Sequence, residues 1–175
     1  GWPSRIVMLF VDALLAFPSL IMALGVIAVF GASSTGVIIA LSLTYIPAVA
    51  RVVRANVLSL REKEYVEASR VMGNAELYTM LRHALPNAVA PIIVLATALF
   101  GWALLAESAL SFLGLGVPPP ASSWGGMLAD SRNYVSEAPW LAIAPGLAIS
   151  LSLLGVNLFG DALRDEFDPH MKNLV

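Results

Sequence analysis

Residues 64–86 read Glu64-Tyr65-Val66-Glu67-Ala68-Ser69-Arg70-Val71-Met72-Gly73-Asn74-Ala75-Glu76-Leu77-Tyr78-Thr79-Met80-Leu81-Arg82-His83-Ala84-Leu85-Pro86. This is a polar, charged stretch inside a chain otherwise built of membrane-grade hydrophobic residues. In Glu64 to Met72, Tyr65, Ala68 and Met72 recur at i, i+3 and i+7, which predicts an amphipathic helix with one apolar stripe, and Glu67 and Arg70 fall beside each other. Gly73 supplies the left-handed residue that ends it, and Asn74 is placed to cap the next helix. Leu77, Met80, Leu81 and Ala84 form a second stripe before Pro86 breaks the ladder and begins a membrane helix. The expected unit is helix, bend, helix, re-entry into the membrane.

Composition sets the surroundings of this elbow. Of the 175 residues, 58% are hydrophobic and 13% charged, against roughly 25% charged in a soluble domain. The mean hydropathy is +0.81. The expected solvent for most of the chain is therefore lipid. There is no cysteine, which excludes disulfides and thiolate or iron–sulfur sites, and a net charge of −2 favours no nucleic-acid partner.

Four stretches reach the roughly 20 apolar residues that a hydrocarbon core requires. They are expected at about 6–31, interrupted by Asp12 and Pro18, and at 36–53, 87–106 and 140–160. Only Ala32 to Thr35 separates the first two, so they form an antiparallel hairpin. The whole chain, 1–175, reads as one all-α polytopic membrane domain. Lysine and arginine fix its orientation, because loops on the cytoplasmic side hold an excess of positive charge. With the connection 61–86 inside, Arg5, Arg51, Arg54, Arg61, Lys63, Arg70, Arg82, Arg164 and Lys172 are all cytoplasmic, and Arg132 alone lies outside. The segment 107–139 is then extracytoplasmic, with Trp124 and Trp140 suited to an interface, and the tail 161–175 is cytosolic.

Several residues carry two readings. Asp12 is a candidate pathway residue or a structural partner of backbone or of Arg5, and Glu107 either faces incoming cargo or is a carboxylate at a helix end in contact with water. Pro18 is a possible gate hinge, although Pro18, Pro47, Pro91 and Pro145 all suit structural kinks in membrane helices. The run 108–116 is too short to cross; it either flanks a gate on the outer surface or packs inside. No catalytic or metal site is expected: His83 and His170 have no partner at ligand spacing, and no GxxxxGK[ST] is present to bind ATP. A secondary transporter would show paired inverted repeats, which halves 1–57 and 87–160 lack. An intramembrane hydrolase would need a second group facing Asp12. For the elbow itself, an interfacial helix without a partner fits the periodicity as well as a docking lever does.

The spacing Glu67-Ala68-Ser69, three residues, Gly73, nine residues, His83-Ala84-Leu85-Pro86 resembles the EAA loop of bacterial ABC importer permeases. Two positions depart from that pattern, Ser69 for its second alanine and His83 for its isoleucine. The strings 11–18, 51–54, 107–116 and 123–125 resemble the dipeptide, oligopeptide and nickel branch, the C-type subunit in particular. The resemblance implies a type I ABC importer transmembrane domain in the bacterial inner membrane, with further spans before residue 1. It implies a coupling loop at 61–86, in which Glu67, Ala68, Ser69, Gly73, Leu85 and Pro86 meet a cytosolic ATPase. It further implies a sister permease forming a heterodimer, two ATPase subunits holding ATP and magnesium, and an extracytoplasmic substrate-binding protein. The chain itself would hold no cofactor, and import of peptides or similar small solutes would proceed by alternating access.

Overall fold

The computed structural model describes residues 2–167; the expectations for His170, Lys172 and the end of the tail lie outside them. Among the described residues the chain is helical throughout: α1 (Trp2–Leu15), α2 (Ser19–Phe30), α3 (Ser34–Arg61), α4 (Glu64–Val71), α5 (Glu76–Thr79), a π-helical turn (Met80–Ala84), α6 (Leu85–Phe112), α7 (Trp124–Ser131) and α8 (Trp140–Phe167).

The stretch 6–31 is not one straight span. Helices α1 and α2 meet at 95°. Pro18 offers no N–H and forces Phe17 out of helical conformation, so α1 ends and α2 starts afresh, with the Met22 N–H donating to the Pro18 carbonyl at 3.0 Å. The turn into α3 is tight: Gly31 has φ +83°, and Ser33 Oγ caps α3 by accepting from the Gly36 N–H at 2.9 Å. Side chains at Gly36 are excluded, since a Cβ there would lie 2.2 Å from the Gly31 carbonyl oxygen.

The other three long helices overrun the ranges expected from hydropathy. Helix α3 continues past Val53 to Arg61, because Ala-Arg-Val-Val-Arg-Ala-Asn-Val-Leu-Ser-Leu contains no glycine or proline to stop it. Helix α6 continues past Ala106, and α8 past Gly160. Residues 108–112 are therefore the last turn of α6; within the run 108–116, Ser108, Leu110, Ser111 and Gly116 are buried, whereas Phe112, Leu113 and Gly114 are exposed. Leu110 is fully buried and packs with Ala23, Ile27, Val37 and Ala40, flanked by Leu24, Val26, Leu41 and Leu115. Gly114, at φ +79°, then closes α6 with the Leu115 N–H donating to the Leu110 carbonyl at 2.8 Å and the Gly114 N–H to the Ser111 carbonyl at 3.0 Å.

Small residues set the helix crossings, as they do where apolar helices approach in lipid. A Cβ at Gly160 of α8 would meet Thr97 Oγ1 of α6 at 2.4 Å, and one at Gly125 of α7 would meet the Ser108 carbonyl oxygen at 2.1 Å. Helix α7 is thus seated on the last turns of α6. Arg132, just beyond α7, donates to the Phe112 carbonyl at 2.8 Å and lies 3.7 Å above the Phe112 ring.

Candidate functional site: the elbow at residues 62–86

Helix α4 carries Glu64 and Glu67 in its first turn and Arg70 in its last, the arrangement its dipole favours. It ends in a glycine-closed motif. Gly73 sits at φ +79°, its N–H donates to the Arg70 carbonyl at 2.9 Å, and the Asn74 N–H donates to the Ser69 carbonyl at 3.3 Å. Nothing lies within 4 Å of a Cβ placed on Gly73, so the left-handed backbone, and not space, is what requires glycine.

The covered face of the elbow is not its apolar stripe. Val66 and Ser69 are buried, whereas Tyr65, Ala68 and Met72, the expected apolar stripe, are exposed. In the second stripe only Ala84 is buried; Leu77, Met80 and Leu81 face outward. The physical reason is a polar lock inside the bend. Ser69 Oγ and Thr79 Oγ1 are hydrogen-bonded at 2.9 Å, and the Asn74 side-chain amide donates to Ser69 Oγ at 3.2 Å. Asn74 is therefore spent on Ser69 and does not cap the second helix, whose N-cap position is Ala75 with no side-chain bond.

Nor does Pro86 break the ladder. Helix runs continuously from Glu76 to Phe112, 37 residues, through the π turn. There the Leu85 N–H donates to the Met80 carbonyl, and Pro86 falls in the first turn of α6. A proline ring would clash with the carbonyl four residues back in a regular helix; the wider π turn accommodates it. The Asn87 side chain donates to the His83 carbonyl at 2.6 Å. The His83 ring lies 6.5 Å from that of Tyr65 and 6.1 Å, edge-on, from that of Tyr78.

Of the six residues expected to couple, Ser69 is sealed inside, Gly73 forms the bend, and Glu67, Ala68, Leu85 and Pro86 are exposed. Glu67 borders a shallow cleft with Arg61, Glu62, Arg70 and Val71. The acid that does form ion pairs is Glu76, which accepts from Arg61 Nη2 at 2.9 Å and lies 3.7 Å from Arg70 Nη2. Sequence reasoning missed Glu76 and Thr79. The departure of Ser69 from alanine was the one available pointer, since a hydroxyl there needs a partner.

The pathway candidates lie elsewhere and make separate contacts. Asp12 of α1 pairs with Arg51 of α3 at 2.6 Å, not with Arg5. Pro18 forms the α1–α2 bend. Glu107 accepts from Ser111 Oγ at 2.5 Å and borders an open cleft of about 290 Å³ with Ser122, Ser123, Trp124 and Met127. Among the described residues, no group of three or more His, Asp or Glu side chains converges as a metal site would require.

Residues 1–173 match the sequence profile of the binding-protein-dependent transport system inner membrane component. A protein of Brucella suis named as a peptide transport system permease is 48% identical over 98% of this chain and 59% of its own length. The dipeptide transport system permease protein DppC of Alkalihalophilus pseudofirmus is 43% identical over 98% of the chain and 57% of its own length. The glutathione transport system permease protein GsiD of Escherichia coli shows the same figures, 43%, 98% and 57%. The chain thus spans somewhat under three fifths of these relatives. A helical membrane domain with this elbow and this profile across nearly its whole length belongs to the family of inner membrane components of binding-protein-dependent transport systems.

Proposed function

We propose that the chain is part of the permease subunit of an ATP-driven importer of peptides or similar small solutes, and that residues 61–86 are its cytosolic contact with an ATPase subunit. The relatives' names support the substrate class. The observation that carries the coupling role is the inverted elbow: its hydroxyls are paired inside, while Val71 and Met72, 83% and 73% exposed, stand outside beside Leu77, Tyr78, Met80 and Leu81. Exposed apolar side chains from both short helices, on a fixed backbone, suit a partner surface. A membrane surface would also accept such a face; the spacing shared with the EAA loop is what favours a protein partner.

On this reading ATP and magnesium are held by the partner ATPases, and their closure pushes the elbow. The long helices tilt, and the path opens alternately to the cytosol and to a substrate-binding protein on the side of residues 113–139. A sister permease forms the other half of the path. The clustering of arginine and lysine around the elbow and at the end of α8 supports a cytosolic position for both.

These 175 residues contain no cysteine, so one introduced here is unique within them. In membrane vesicles containing the complete transporter, Met72→Cys is expected to cross-link to an ATPase subunit and to resist a membrane-impermeant thiol reagent added from outside. Outside labelling, or cross-links to lipid-facing neighbours alone, would overturn the assignment.

A further inference from the structure

The elbow grows directly out of the α5–α6 helical run, but its hold on α3 is slight. The buried cluster around Leu110 contains no elbow residue. Only Glu62 and Lys63 separate α3 from α4. Across this joint one carboxylate meets two guanidinium groups. Arg61 is the last residue of α3, Arg70 lies in the last turn of α4, and Glu76 is the first residue of α5. Glu76 Oε1 accepts from Arg61 at 2.9 Å and lies 3.7 Å from Arg70. Each charge occupies the helix end whose dipole favours it, cations at C-termini and the anion at an N-terminus.

We propose that Glu76 is a positioning residue for coupling: the strut that holds the end of α3 against the elbow, so that a push on the elbow moves α3 together with α6. This rests on the reading of the elbow as the ATPase contact. Without the strut, α6 would still follow the elbow through the continuous helix, while the end of α3 would be held to the elbow by the two-residue joint and a few close approaches to α4 and the π turn, and would follow α6 only through the packing between the two helices farther along, where Tyr45 donates to the Trp102 carbonyl at 3.1 Å. Glu67, by contrast, has no ion pair with the chain's own residues among those described and is free to meet a partner. The side chains of Arg61 and Glu76 are 48% and 67% exposed, so the pair contributes little to folding. Its loss is expected to alter the angle between α3 and the elbow and to leave the fold standing.

The test uses the complete transporter in proteoliposomes, with solute imported per ATP hydrolysed as the readout. Arg61→Gln is expected to lower that ratio about three- to fivefold and Glu76→Gln, which also loses Arg70, by at least as much, with the double variant falling no further than Glu76→Gln alone because the Arg61 interaction is already gone there. Co-purification of the ATPase subunits is expected to stay intact. An unchanged ratio in Glu76→Gln, additive losses in the double variant, or loss of the ATPase subunits would each overturn the strut. If the Met72→Cys cross-link fails in the otherwise unaltered protein, the coupling reading itself falls. A normal cross-link with an unchanged ratio removes only the role of Glu76.

Discussion

Ser69 Oγ and Thr79 Oγ1 face each other at 2.9 Å in the closed interior of the elbow, one from each of its short helices. Both residues are almost fully buried, so neither hydroxyl can turn to water instead. The bend angle is thereby fixed by a polar contact as well as by the left-handed Gly73 that the sequence singles out.

Ser69→Ala restores the residue that the EAA pattern carries, yet here it is expected to loosen the elbow. It strips Thr79 and Asn74 of their shared partner, at a cost of about 1–3 kcal/mol. Hydrogen exchange of the amides in 69–79 checks this, with roughly tenfold faster exchange expected. Unchanged protection would show the lock to be dispensable.

Gly73 calls for a graded series. Asparagine tolerates the left-handed region, alanine pays about 1–2 kcal/mol there, and a β-branched residue is a true outlier. The expected order of transport-linked ATPase stimulation is therefore glycine, Gly73→Asn, Gly73→Ala, then Gly73→Val, the last abolished, with membrane insertion intact throughout. Wild-type transport by Gly73→Val would contradict the lever.

Asp12 and Arg51 are expected to behave as a unit joining α1 to α3. In a double-mutant cycle with Asp12→Asn and Arg51→Gln, thermal stability of the purified complex should reveal a coupling of about 0.5–1 kcal/mol. Strict additivity would mean that the ion pair is incidental, and a loss of transport without loss of stability would support the pathway reading of Asp12.

Gly125→Ala should lift α7 from α6, since its Cβ would meet the Ser108 carbonyl oxygen at 2.1 Å. Overpacking of this kind costs about 1–3 kcal/mol. Gly146→Ala, where nothing lies within 4 Å of the new Cβ, is the control and should be neutral or slightly stabilising. Melting of the purified complex separates the two, and equal midpoints would refute the close seating of α7.

Hydropathy located the long helices, and the glycine of the bend was legible because only one residue type adopts a left-handed backbone without strain. Helix ends were not legible at Val53 or Ala106, where an apolar run stops but nothing stops the backbone from remaining helical. Periodicity grouped Tyr65, Ala68 and Met72 on one apolar stripe but does not say which face of the helix is covered. Here the covered face is another one, and a serine and a threonine take the interior. The π turn before Pro86 and the Arg61–Glu76 pair depend on where separate helices end in space, which local spacing does not encode.

The helix from Glu76 to Phe112 is about 55 Å long by its 37 residues, with the elbow at one end and α7 seated on the other. Torque applied at Glu76 therefore arrives at Ser108, on which Gly125 of α7 is seated, with no intervening loop to absorb it. Engineering of the two ends cannot be independent: a residue chosen to reshape the wall around Glu107 will be felt where Thr79 meets Ser69.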